Sequence, residues 1–267
     1  MSQLLLTNHE PDPTGLVHSI TPESAGWERV GFSVYRLKPG QVLETGSGEN
    51  EVCLVLIGGK ATIAAGGQRF EGIGERKTPF EGKPWSVYVP WHERYRVEAL
   101  TDLELAVCAA PGGGDLPVRL IHPDQVKFMT RGKDANTRHV YDILPETEPA
   151  NALLVVEVIT PSGCWSSYPS HKHDTDNFPD ETALEEVYYH RLNPPQGFAF
   201  QRVYTDDRSL DETMCLHDSD VVMVPRGYHP VGTPHGYDLY YLNVMAGPKR
   251  VWKVNTEQCH RWLLPQG

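Results

Sequence analysis

His171 and His173 form an H-x-H pair in the stretch SSYPSHKHD. Alternation along a strand sends both imidazoles to one face, where two of them can chelate one cation. Glu186 opens a later strand-like run, EVYYHRLNPPQG, and His229 follows Pro225 by four positions in VPRGYHP. Three histidines and one glutamate supply three borderline nitrogen donors and one carboxylate. That set suits one divalent transition metal, Zn or Mn with Fe or Ni as alternatives, better than Ca or Mg, which prefer all-oxygen shells. Glu185 competes with Glu186, and His235, in GTPHGYD, competes with His229. Glu186 is preferred because it shares a strand face with Tyr188 and His190, and because it matches Glu51 earlier in the chain.

The elements that must hold these residues occur twice. FSVYRLKPG, from Phe32 to Gly40, is an alternating strand ending in a turn, and VVEVITPSG, from Val155 to Gly163, has the same form. Glu51 opens EVCLVLIGG as Glu186 opens its strand; Pro90 closes SVYVP as Pro225 closes VVMVP, at the same distance from the respective glutamate. Repetition of ordered landmarks points to an internally duplicated, all-β chain. The boundary falls near residue 140, giving an N-terminal barrel over 1–140 and a C-terminal barrel over 141–267. The interval from Gly163 to Glu186 is about twice that from Gly40 to Glu51, and the extra residues include HKHDTDNFPDETALE. Loop insertions cost little closure entropy, so the flanking strands keep their register. PDETALEE is expected to form a short helical turn, and the C-terminal TEQCHRWLLPQG to pack down through Trp262, Leu263 and Leu264. The N-terminal copy has ETGSGENE in place of the histidines and Arg94 at the position of His229, so its metal site is degenerate and the C-terminal copy carries the active one.

Composition narrows the class. Across 267 residues, 24 Gly and 22 Pro without low-complexity runs favour many short strands. A formal net charge of -11 argues against a nucleic-acid partner. No apolar run reaches the ~20 residues that span a bilayer. The N-terminal MSQLLLTNHEPDP lacks the basic start of a secretion signal. Five scattered cysteines without a CxxC read as reduced thiols of a cytoplasmic protein.

Glu51 to Gly58 and PRGYHP resemble the two cupin motifs, the second with its histidine one place early. SSYPSHKHD, ETALEEVYYHRLNPPQGFAFQRVYTDDRSLDE and VVMVPRGYHPVGTPHGYDLYYLNVMAG resemble the 5-deoxy-glucuronate isomerase family of myo-inositol catabolism, and more distantly 5-keto-4-deoxyuronate isomerase. The resemblance implies a bicupin of two jelly-roll (double-stranded β-helix) barrels. It implies metal ligands at His171, His173, Glu186 and His229, and an aldose–ketose isomerase that converts 5-deoxy-D-glucuronate to 5-dehydro-2-deoxy-D-gluconate. A cupin separates H-x-H from its glutamate by three or four residues, whereas twelve lie between His173 and Glu186 here. The implied substrate, a small uronic acid, needs a proton carrier, for which Tyr188, His190, Tyr241 and His235 are candidates. It also needs a cation for its distal carboxylate, and Arg202, Arg138, Lys172 and Arg226 are candidates. A related uronate isomerase, an Fe(II) oxygenase and a non-catalytic sugar-binding cupin are the competing functions, and a homo-oligomer is compatible with the exposed edges of two-cupin proteins.

Overall fold

Alternating apolar residues bounded by Gly and Pro turns produce the observed architecture. The computed structural model describes residues 2–264 and is built from antiparallel sheets; its helices are confined to Pro22–Ala25 and three short 3-10 turns. The chain forms two compact units. One comprises Met1–Asn8, Phe128–Val140 and Glu157–Gly267, and the other comprises His9–Lys127 and Tyr141–Val156. The sequence reading puts the division after residue 140; the units instead group Met1–Asn8, Phe128–Val140 and Tyr141–Val156 with the opposite half. Two of these groupings have a visible physical reason. Leu5–Leu6 extends the edge of Val221–Val224, pairing Leu5 with Val222 and Leu6 with Val221. Conversely, backbone amides of residues 151–153 bind the buried carboxylate of Glu51.

The two larger sheets share the order of their central strands and differ at their edges. In the six-stranded sheet it runs Arg119–Ile121, Ser86–Val89, Asn50–Gly58, Leu103–Pro111, Gly31–Leu37, Leu16–Ile20. In the seven-stranded sheet it runs Leu5–Leu6, Val221–Val224, Glu185–Asn193, Asp238–Ala246, Leu154–Thr160, Arg138–Leu144, Lys127–Arg131. Each has a four-stranded companion. One orders Val42–Gly46, Arg94–Ala99, Ala61–Ala65, Gln68–Ile73; the other orders Trp165–Ser166, Val231–Gly232, Ala199–Tyr204, Asp211–Leu216.

Register makes the correspondence residue by residue. Val52 pairs with Val89 and Ala109, Leu54 with Val87 and Val107, and Leu56 with Leu105. Glu186 pairs with Val224 and Met245, Tyr188 with Val222 and Asn243, and His190 with Tyr241. The counterpart of Glu186 is therefore Val52. Glu51, matched to it in sequence, lies one residue away and so faces the opposite side of its sheet, because strand side chains alternate. In the N-terminal unit the inward row Val52, Leu54, Leu56 packs with Ile63, Val97, Leu105 and Val107 into an apolar core. Each such side chain stabilises the fold by about 1.5–3 kcal/mol relative to exposure.

Two local expectations are corrected. Residues 179–186 form no helical turn. Glu181 instead organises the segment, accepting the Asp174 and Thr175 amides and the Asn255 side-chain amide. The C-terminal segment forms a 3-10 turn, Gln258–Leu263, with Trp262 73% exposed rather than packed down; residues 265–267 of that tail lie outside the described residues.

Candidate metal centre

Alternation along Glu185–Asn193 sends Glu186, Tyr188 and His190 inward, and all three are buried. Glu185, the rival ligand, points to the other face and stays partly exposed. His229 arrives from the turn after Val221–Val224. Gly227 makes that turn possible: its φ is +90°, and a Cβ there would run into the Tyr204 carbonyl. Its carbonyl accepts the His229 Nδ1–H at 2.9 Å, while its amide donates to Asp174 at 2.9 Å. His173 is bracketed in the same way, with Nδ1 3.2 Å from the Leu184 carbonyl and the Leu184 amide 2.8 Å from its own carbonyl. This pair of bonds closes the insertion at its base, so that His173 and Glu186 meet across the twelve residues between them.

The result is a compact donor set. His173, Glu186 and His229 offer ligand atoms that all lie within 4.8 Å of one another, each residue buried. The Glu186 Oε2 is 3.2 Å from His173 Nε2 and 3.1 Å from His229 Nε2. With Nδ1 of each ring donating to a carbonyl, each neutral imidazole turns the lone pair of Nε2 toward a carboxylate. Lone pairs facing lone pairs repel unless positive charge lies between them. No hydrogen-bond partner satisfies either Nε2 or either Glu186 oxygen. Two imidazoles and a carboxylate, oriented from behind and unsatisfied in front, fit a divalent transition metal.

The electrostatics agree. Burial holds His229 and His171 down at about 3, neutral and able to donate a lone pair. Burial also pulls on His173, but the Glu186 carboxylate more than offsets it and raises this group, as expected where positive charge is favoured. His171 stands beside the group rather than in it. Its ring is edge-on to His229 at 5.1 Å and 6.3 Å from that of His173.

Behind the cluster the interior remains polar. The Tyr188 hydroxyl lies 2.8 Å from Ser167 Oγ and the Tyr241 hydroxyl 2.5 Å from Ser166 Oγ. Burial raises both phenols above their ordinary value, so both keep their protons. Arg138 is half-buried; its Nη1 donates to the Asn136 and Tyr168 carbonyls, and its charge is felt by Tyr241, Tyr188 and His171. Gln201 is buried, while its neighbour Arg202 points outward, is bound through two bonds to Asp211 and lies over the Tyr204 ring. Lys172 turns away from its histidine neighbours into an ion cluster with Asp174, Glu181 and Asp206. Arg226 and His235 are exposed. Of the sequence-derived candidates, the structure therefore brings together His171, His173, Glu186, His229, Tyr188, His190, Tyr241 and Arg138, and leaves Arg202, Lys172, Arg226 and His235 outside. Ser166, Ser167, Gln201 and Asn243 were not anticipated. Their signal was positional only: Gln201 and Asn243 are polar residues at buried places of their strands, and Ser166 and Ser167 are buried beside the Tyr241 and Tyr188 hydroxyls.

Fold and site together define an antiparallel β-barrel protein with a buried histidine–glutamate centre. The fold is shared with the oxalate decarboxylase of Lactobacillus farciminis, with a TM-score of 0.69 at 14% identity over 99% of this chain and 91% of that one. The chain belongs to the KduI/IolB family, which it matches over residues 4–263. It is 56% identical to a 5-deoxy-glucuronate isomerase of Geobacillus thermodenitrificans over 99% of this chain and 97% of the relative. It is 49% identical to the Bacillus subtilis (strain 168) enzyme of the same name, over 93% of each. The crystal structure of an IolB-like protein from Salmonella typhimurium superposes with a TM-score of 0.96 at 55% identity, covering 98% of this chain and 99% of that one.

Proposed function

We propose that this chain is a metal-dependent aldose–ketose isomerase that converts 5-deoxy-D-glucuronate to 5-dehydro-2-deoxy-D-gluconate in cytoplasmic inositol catabolism. The chain reads as a duplicated bicupin in which only the C-terminal barrel is active. One observation carries the reading: His173, Glu186 and His229 turn unsatisfied ligand atoms into a buried polar interior that also contains Tyr188, Tyr241 and Arg138, in a chain whose near relatives bear this enzyme name.

These three residues would hold the cation, with His171 adjacent as a fourth donor. When bound, the cation supplies Lewis-acid polarisation of a carbonyl. The chain's own residues account for the rest. The Arg138 guanidinium, tethered on one nitrogen by two carbonyls, binds the distal carboxylate of the open-chain acid. Isomerisation moves a proton from the hydroxyl-bearing carbon to its neighbour. Tyr188 lies one inward position from Glu186, with its ring 5.8 Å from that of His229. As a neutral phenol it is placed to give its proton to the carbonyl oxygen and to recover one from the substrate hydroxyl, the second proton that the isomerisation must move, through the hydroxyl it shares with Ser167. Tyr241, fixed by Ser166, orients the chain between the two ends. The buried setting keeps water from the proton in transit.

The test is anaerobic turnover of 5-deoxy-glucuronate by cation-loaded protein, with the ketose followed by NMR. Formation of 5-dehydro-2-deoxy-gluconate without oxygen is expected. Absence of product, or turnover that consumes oxygen, contradicts the isomerase reading.

A further inference from the structure

The row deepest from the cation cluster holds polar atoms that the isomerisation scheme does not use. His190 is completely buried, and its Nε2 lies 3.2 Å from Gln201 Oε1. The Gln201 amide is itself oriented, since its Nε2 donates to the His229 carbonyl at 3.3 Å. An amide that spends its N–H on a carbonyl presents its oxygen to the imidazole, so His190 must carry its proton on Nε2. Nδ1 is then a bare acceptor, and it is buried without a partner. Asn243, also buried, has no partner at hydrogen-bonding distance for its Nδ2, and its amide lies near enough to the Tyr188 hydroxyl to pull that phenol down against the rise caused by burial. Because Tyr188 pairs with Asn243 and His190 with Tyr241, Asn243 sits diagonally across the strand pair from His190 on the same inward face. Diagonal neighbours lie roughly 7–8 Å apart.

A buried acceptor and a buried donor left open on one wall are costly to the empty protein and complementary to a group that both donates and accepts. The equivalent places in the other unit are Leu56 and Val107, which present no polar atom. We infer that His190 and Asn243 recognise the secondary hydroxyls of the substrate's carbon chain, and that Gln201 is a positioning residue that fixes the polarity of His190. The inference rests on the sugar-acid reading above and adds to it the chemical feature by which the substrate is selected: a hydroxyl on the chain between the reacting end and the carboxylate. His190 thereby serves in recognition, and proton transfer stays with the row nearer the cluster.

The test compares 5-deoxy-glucuronate with analogues that each lack one further chain hydroxyl. Turnover is measured alongside binding of the corresponding alditol acids, which cannot isomerise, by calorimetry. A site built to bond a hydroxyl rejects the analogue lacking it strongly, so wild-type protein is expected to disfavour at least one analogue by about 100-fold or more. His190→Gln can keep the bond to Gln201 while deleting Nδ1, and Asn243→Leu deletes the donor at similar volume. Each should shrink that preference to within about threefold while cation content and melting temperature are retained, because the hydroxyl then loses its partner in both ligands. A preference unchanged in folded variants, or no preference in wild type, overturns the inference. Should the variants fail to fold, imidazole nitrogen NMR of the wild-type protein decides. An Nε2-protonated His190 whose Nδ1 resonance moves on saturation with the alditol acid, and whose tautomer becomes mixed in Gln201→Leu, is expected. A resonance indifferent to ligand overturns the inference. Hydroxyl-dependent binding without turnover would sink the isomerase reading and leave this one standing.

Discussion

The inward rows of the two units occupy the same sheet positions and carry opposite chemistry. In one, Val52, Leu54, Leu56, Leu105 and Val107 close into an apolar core; in the other, Glu186, Tyr188, His190, Tyr241 and Asn243 occupy the corresponding places. Five inward side chains distinguish an apolar interior from a polar one, while the order of the central strands is the same. The two buried glutamates sharpen the contrast. Glu51, on the outer face, accepts the amides of Asn151, Ala152 and Leu153, the Asn151 side chain, and the Tyr88 hydroxyl at 2.6 Å. Glu186 faces the Nε2 atoms of His173 and His229, whose Nδ1 atoms are each turned to a carbonyl. A carboxylate saturated with donors is structural, whereas one facing acceptors calls for a cation.

The most severe way to break the contrast is Val52→Glu, which sets a carboxylate among Leu54, Leu56 and Val107. That core is predominantly apolar, so unfolding at room temperature or a stability loss of about 3 kcal/mol or more is expected from chemical denaturation. Full stability would mean that the N-terminal interior is not the apolar core described. Next in size, Arg138→Gln should raise KM for the uronic acid by about 10- to 100-fold, because a charge-assisted bond is lost. Arg202→Gln should change it less than twofold, since that guanidinium is committed to Asp211. Steady-state kinetics on both variants checks the pair.

A smaller effect is expected in pH dependence. Burial holds His190 and His171 at about 3, against an ordinary value of 6.5. Below about pH 6.5 the unfolded chain takes protons that these folded imidazoles refuse. Unfolding therefore binds protons, and stability of the cation-free protein should fall as pH drops from about 6.5 toward 3. His190→Gln should flatten this slope in denaturant titrations, and an unchanged slope would show that His190 is not protected from charging. Smallest of all, Arg94→His should add no second bound cation and no activity, because Arg94 is exposed and Glu44 beside it belongs to no cluster of ligating side chains among the described residues.

Much of this organisation was legible in the chain. H-x-H, the glutamate opening a long strand and the histidine after a Pro-x-Gly turn are local patterns with fixed periodicity, and three of these four candidate residues meet. Matching Glu51 to Glu186 failed because a one-residue offset between repeats leaves the sequence intervals intact but flips the face. Only the pairing of Val52 with Val89 reveals it. The donors that satisfy Glu51 were illegible for a different reason: backbone amides of residues 151–153 carry no side-chain signature. Among the arginines, sequence could not separate Arg138 from Arg202, since partner choice depends on cross-strand neighbours such as Asp211. The short strand His171–Lys172 pairs with Asn255–Thr256, a long-range contact that explains how Lys172 came to face an ion cluster instead of substrate.

Elemental analysis of purified protein, with Glu186→Gln and Glu51→Gln in parallel, tests the central claim most directly. One divalent transition metal per chain is expected in wild type and in Glu51→Gln, and loss of most of it in Glu186→Gln. Retention of the metal in Glu186→Gln, or its loss in Glu51→Gln while the protein remains folded, would place the centre elsewhere and contradict the account.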